Sequence, residues 1–71
     1  MSNQISQDDA VKMHLLSTYN LIKDLSRNLN LDQYKIDFAE EQFENKAEDM
    51  NIKDLALLNE MLIGTCLKQI A

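Results

Sequence analysis

The sequence predicts an all-α protein, a small three-helix domain with helices over about residues 7–28, 31–49 and 52–70, assembled as a helical homo-oligomer. Three observations predict this. Apolar residues recur at helical rather than alternating spacing along most of the chain. Three stretches carry the same start signal: Ile5-Ser6-Gln7-Asp8-Asp9-Ala10, Leu29-Asn30-Leu31-Asp32-Gln33-Tyr34 and Met50-Asn51-Ile52-Lys53-Asp54-Leu55. Each places an apolar residue, a Ser or Asn cap, two spacers, an acid or amide and a second apolar residue in order, a capping box within a hydrophobic staple. Finally, 71 residues bury only about 60% of the surface of the unfolded chain, so a core of this size is marginal unless something staples it. One Cys excludes an intrachain disulfide, and one His with one Cys makes no zinc set, which leaves oligomerisation.

The first helix carries Val11, Leu15, Ile22, Leu25 and Leu29 on one face, with His14, Thr18 and Leu21 in or beside the same sector. The second carries a narrow stripe of Ile36, Ala39, Phe43, Ala47 and Met50, and on its far side Asp37, Glu41, Glu44 and Glu48. A continuous rod through the second and third helices is disfavoured. Its apolar sector would jump by about 150° between Met50 and Leu55, and a bend at Asn51 avoids this.

The third helix is the organising stretch. Ten of the sixteen residues from Leu55 to Ile70 are apolar, and only Glu60 and Lys68 are charged. At 100° per residue, Leu55, Ala56, Leu58, Leu62, Ile63, Cys66, Leu67 and Ile70 share a sector about 180° wide. Leu57 and Met61 fall outside it as an i, i+4 pair on the polar side, a second apolar address.

Composition excludes several classes. With 45% hydrophobic and 27% charged residues the chain reads as one globular domain, with a disordered tail over residues 1–5. The net charge of −5 opposes direct binding to nucleic acid or anionic lipid and favours neutral or basic partners. All of it falls in residues 32–54, where eight acids face three lysines. No run is long and apolar enough to cross a membrane, the N-terminus has no signal-peptide pattern, and a cytoplasmic setting is expected.

No residue set reads as a catalytic centre, and no cofactor or metal is expected. His14 lacks a nucleophile and an orienting group at any useful spacing, so it reads as a core or interface histidine. Cys66 has no activating neighbour in the sequence. The stripe Asp37, Glu41, Glu44 and Glu48 reads as a solvated face that could dock a basic partner, and the Glu-x-x-His pair of carboxylate di-metal bundles is missing. Asn59, near the centre of the third helix's apolar sector, must find hydrogen-bond partners and is expected to fix register or oligomer state.

The expected function is therefore a small acidic, non-enzymatic interaction protein: an inhibitor, adaptor or small chaperone that acts as a homo-oligomer and occludes a partner surface. Leu57, Met61, Asn59 and His14 are the expected self-association or partner contacts. Two alternatives stand beside it. One is a small-molecule-sequestering oligomer using His14, Thr18, Tyr19 or Asn59 between protomers; the other is an acidic nucleic-acid mimic acting through the second helix.

Overall fold

The computed structural model describes residues 6 to 70, which form α1 (Gln7–Asn28), α2 (Gln33–Glu40), a single 3-10 turn (Ala47–Asp49) and α3 (Ile52–Ile70). The all-α, three-helix class is found, with no strand among the described residues. The tail expected over residues 1–5 lies outside them.

The Ser and Asn caps of the first and third start signals are found, while the first staple residue, Ile5, lies outside the described residues. Ser6 caps α1, its hydroxyl accepting from the amide of Asp9 at 3.1 Å, and Asp8 and Asp9 add negative charge at the positive end of the helix dipole. Asn51 starts α3 by accepting from the amide of Asp54 at 2.8 Å. The middle signal is different. Asn30, expected to cap the second helix, instead ends α1 in the left-handed region at φ 55°, where Asn is tolerated. The amides of Leu31 and Asn30 donate to the carbonyls of Ser26 (2.9 Å) and Arg27 (3.1 Å), the paired bonds of a Schellman terminus. Asp32 caps α2 in its place, accepting from the amide of Tyr34 at 3.0 Å.

The second helix is also shorter than the expected 31–49. It ends at Glu40, and residues 41–46 turn before the 3-10 segment. Continuing it would stack Asp37 on Glu41, Glu40 on Glu44 and Glu44 on Glu48, three like-charge i, i+4 pairs with acids crowding the negative end of the dipole. The chain turns instead and still buries the expected stripe: Ile36, Ala39, Ala47 and Met50 are buried and Phe43 packs against them. The pattern identified the buried residues, while charge decided that a regular helix does not carry all of them.

α3 is the element against which both other helices pack. The amide nitrogen of Asn59 reaches the carbonyl of Leu15 in mid-α1, and Gln69 at the end of α3 accepts from the amide of Asp32 just beyond α1. α1 and α3 therefore run in the same direction, and α2 with its following turns runs back between their ends. The core consists of Ile22, Ile36, Ala39, Ala47, Met50, Leu55, Leu58 and Leu62. The molecule measures 48 × 24 × 15 Å.

The rotation of α1 differs from the sequence reading. Ile22 and Ser26 are buried, with Leu15, Leu16 and Tyr19 packed beside the core, whereas Val11, Leu21, Leu25 and Leu29 are exposed. On a 100° wheel the buried side, centred between Ile22 and Ser26, lies some 80 to 120° from the Leu25–Leu21 edge. Ser26 is 0% exposed, its hydroxyl satisfied by the carbonyl of Lys23 at 2.8 Å. A serine in the deepest position of an amphipathic helix carries no hydrophobic signal, so the sequence pattern points to the stripe of leucines beside it.

Candidate interaction surface

The leucines displaced from the core belong to an exposed apolar face. With Ile22 as zero, Val11, Thr18, Leu29, Leu25, His14 and Leu21 occupy α1 from about −20° to −100°, while Tyr19 and Lys23, which reach toward α2, lie at about 60° and 100°. On α3, with Leu55 as zero, Ile70, Ile63, Ala56 and Leu67 occupy about 60° to 120°. Thr65 and Gln69, which line a groove with α2, lie near −80° and −40°. Because α1 and α3 are parallel, both stripes turn to the same side, the side opposite α2. Leu21 (67% exposed), Leu25, Leu29 and Val11 thus meet Ile63, Leu67 (58%) and Ile70 in one open face. Its α1 half contains no formal charge, and its α3 half has only Glu60 at the rim.

The opposite side is polar and centred on Glu40. Its Oε2 accepts from the hydroxyl of Tyr19 at 2.9 Å and from Nζ of Lys23 at 2.6 Å, tying α2 to α1, and the same ammonium lies 5.6 Å from the Tyr19 ring centre. Burial, aided by the bond to Glu40, raises the Tyr19 phenol above its ordinary value. For Lys23, burial pulls downward, but the hydrogen bond to Glu40 together with the charges of Tyr19, Glu40 and Asp37 outweighs it and the ammonium is raised. Beside this triad a cleft of about 430 Å³ is lined by Asp37, Glu40, Glu41 and Glu48, with Lys46 and Met50. Three of the four acids expected on the docking stripe share this cleft. Glu44 is exposed in the turn, and the stripe does not exist as a regular helical array. No group of three or more His, Cys, Asp or Glu among the described residues is arranged to hold a metal ion. Cys66 is half-buried, and burial pushes its thiol upward, away from the reactive thiolate.

The residues expected to make contacts are scattered. Leu57 is exposed (47%), but Met61 packs against the core, so the two do not form an outward pair. Asn59 is 4% exposed, and its Nδ2 donates to the carbonyls of Leu15 and Leu55, each at 3.1 Å, while its Oδ1 has no partner in the structure. His14 is not its partner. That histidine is exposed on the open face, its carbonyl accepting from the hydroxyl of Thr18 at 3.0 Å. His14 and Tyr19 lie about 140° apart around α1, so they do not converge on one pocket within the chain. Sequence reasoning missed the bridging role of Glu40 and the open face itself. A signal for the face was present in the seven-residue spacings Val11-Thr18-Leu25, His14-Leu21-Asn28 and Ala56-Ile63-Ile70, the repeat of a seam between helices.

Among the described residues, no helix is long and apolar enough to cross a membrane. Comparison with protein-family models, curated proteins and solved structures finds no match.

Proposed function

We propose that this chain is a non-enzymatic interaction protein, in the class of inhibitors, adaptors or small chaperones, which works by covering an apolar helical surface with its α1–α3 face. One observation carries the reading. Seven large apolar side chains on two parallel helices form a single face from which formal charge is absent except at its rim. An exposed apolar area of this size with a polar surround is the usual mark of a docking surface. The homo-oligomer expected from the sequence would use the same face, and the acidic side around Glu40 would remain outward for solvent or a basic neighbour.

The test is native mass spectrometry of the protein purified from its host, comparing the wild-type chain with the double variant Leu25→Glu, Leu67→Glu. The reading expects a protein assembly that the variant loses while keeping its helical circular dichroism. An assembly identical in both proteins, or a wild-type chain carrying only a small molecule, would overturn it.

A further inference from the structure

We infer that the occupant of the α1–α3 face is a second copy of this chain, packed antiparallel across a two-fold axis perpendicular to the helices. The inference rests on reading the face as a docking surface and adds which surface covers it and in what orientation.

Area is the first argument. Taking roughly 100 Å² of exposed apolar surface for each of the seven side chains, the face offers about 700 Å² per copy, close to the roughly 800 Å² per partner of a standard stable interface. The face also extends about 27 Å along α1 between Val11 and Leu29, so a twin can lie along its whole length.

Charge is the second. A chain of net charge −5 ordinarily repels its own copy, but here the excess acids belong to residues 32–54, on and after α2. Two copies meeting through the α1–α3 face keep α2 outward on both sides. A charge-free face has nothing with which to select a basic or acidic partner, whereas it matches itself.

Orientation follows from the helix ends. α1 and α3 point the same way, and within one copy only the eight-residue α2 runs against them. α1 begins with Asp8 and Asp9 and ends with Arg27; α3 begins with Asp54 and ends with Lys68. A parallel dimer aligns four long dipoles and sets acids beside acids. An antiparallel one opposes the dipoles and brings the basic ends of one copy toward the acidic ends of the other. The seven-residue spacing of both stripes suits the shallow crossing angle this arrangement needs.

The experiment uses the purified chain alone. Sedimentation across a dilution series should show a monomer–dimer equilibrium, and Leu25→Glu with Leu67→Glu should remain helical and sediment as a monomer. Spin labels on cysteines replacing Met13 and Asp24, both exposed on the side of α1 away from the face, in a Cys66→Ser background, then read the orientation. In the antiparallel dimer the Met13-to-Met13 distance exceeds the Met13-to-Asp24 distance between copies, with an axial difference of about 16 Å; in a parallel dimer the order reverses. A reversed order, or a dimer that persists in the double variant, overturns the arrangement. A chain that stays monomeric at every concentration overturns self-association. In that case a host-purified assembly lost in the variant would still uphold the docking role of the face, so the two failures are distinguishable.

Discussion

Asn59→Leu should make the protein more stable, although the substitution removes the side-chain hydrogen bond that joins α3 to α1. Asn59 is 4% exposed and donates twice, to the carbonyls of Leu15 and Leu55. Both carbonyls lie inside helices, where the amide four residues further on also holds them, so neither is orphaned when the asparagine goes. The loss is therefore about 1 kcal/mol per bond, or about 2 kcal/mol. Against it stand two gains. Oδ1 is buried without a partner, and removing such a group returns about 1–3 kcal/mol. A buried leucine adds about 1.5–3 kcal/mol of apolar transfer, less about 1 kcal/mol for imperfect fit. The net is a stabilisation centred on about 1 kcal/mol, within bounds of about −0.5 to 3 kcal/mol, and about 1 kcal/mol in a chain of this length raises the melting temperature by about 4–8 °C. Urea unfolding followed by circular dichroism, repeated at two protein concentrations to separate folding from assembly, measures it. A variant less stable than wild type by about 1 kcal/mol would refute the reasoning and mean that Oδ1 is satisfied in solution. Asn59→Asp is the control: its carboxylate would face the same two carbonyl oxygens and should cost about 3 kcal/mol or more.

Further outcomes follow from particular residues. Gly64→Ala should stabilise by up to about 1 kcal/mol in thermal unfolding, because Gly64 lies within α3 and an added Cβ meets nothing within 4 Å. Asn30→Gly should gain a few tenths of a kcal/mol and Asn30→Ala should lose about 1 kcal/mol, since φ 55° suits glycine and penalises alanine. Met61→Asp should cost about 2 kcal/mol or more in urea unfolding and Leu57→Asp about 0.5 kcal/mol or less, because only Met61 packs on the core. Both Tyr19 and Lys23 hold their protons more tightly in the folded chain, so their contribution is complete below their unfolded pKa values and is lost as pH rises through the raised folded ones. Alkaline unfolding should therefore be steeper in the wild type than in Tyr19→Phe with Lys23→Met, and equal slopes would contradict the Glu40 bridge.

What the sequence made legible follows which forces act locally. The termini of α1 and α3 were readable because a cap is a contact between residues three apart, and Ser6 and Asn51 make those contacts as expected. Asn30 misled because the same residue type can begin a helix or end one, and the choice depends on how α1 approaches the start of α2. The core stripe from Ile36 to Met50 is legible as a set of buried residues, but the end of the helix through it is not, because Asp37, Glu40, Glu41, Glu44 and Glu48 have the pattern of a solvated face while their mutual repulsion also penalises helix length. The rotation of α1 was the least legible. Ser26 and Leu25 differ by one position in sequence and 100° in direction, and only the placement of α3 decides which of them faces inward.

That decision has a consequence for the open face. Water is a good solvent for lysine and glutamate, which also favour helix formation, and a helix flank that meets only solvent is best filled with them. α1 does this elsewhere: Asp8, Asp9, Lys12, Lys23, Asp24 and Arg27 all lie outside the sector of Leu21 and Leu25. Intrachain packing does not require their exclusion from that sector, since Leu21, Leu25 and Leu29 are exposed and do not belong to the buried core. Nor does helix propensity require it, since lysine would serve α1 as well as leucine. Two forces that act within one chain thus leave the composition of the face unexplained, and the contact with a second copy proposed above would account for it. The same contact would also supplement a small core of eight buried apolar residues, so that covering the face and stabilising the fold become one event, which is why self-association should appear in the unfolding curve as a dependence on protein concentration.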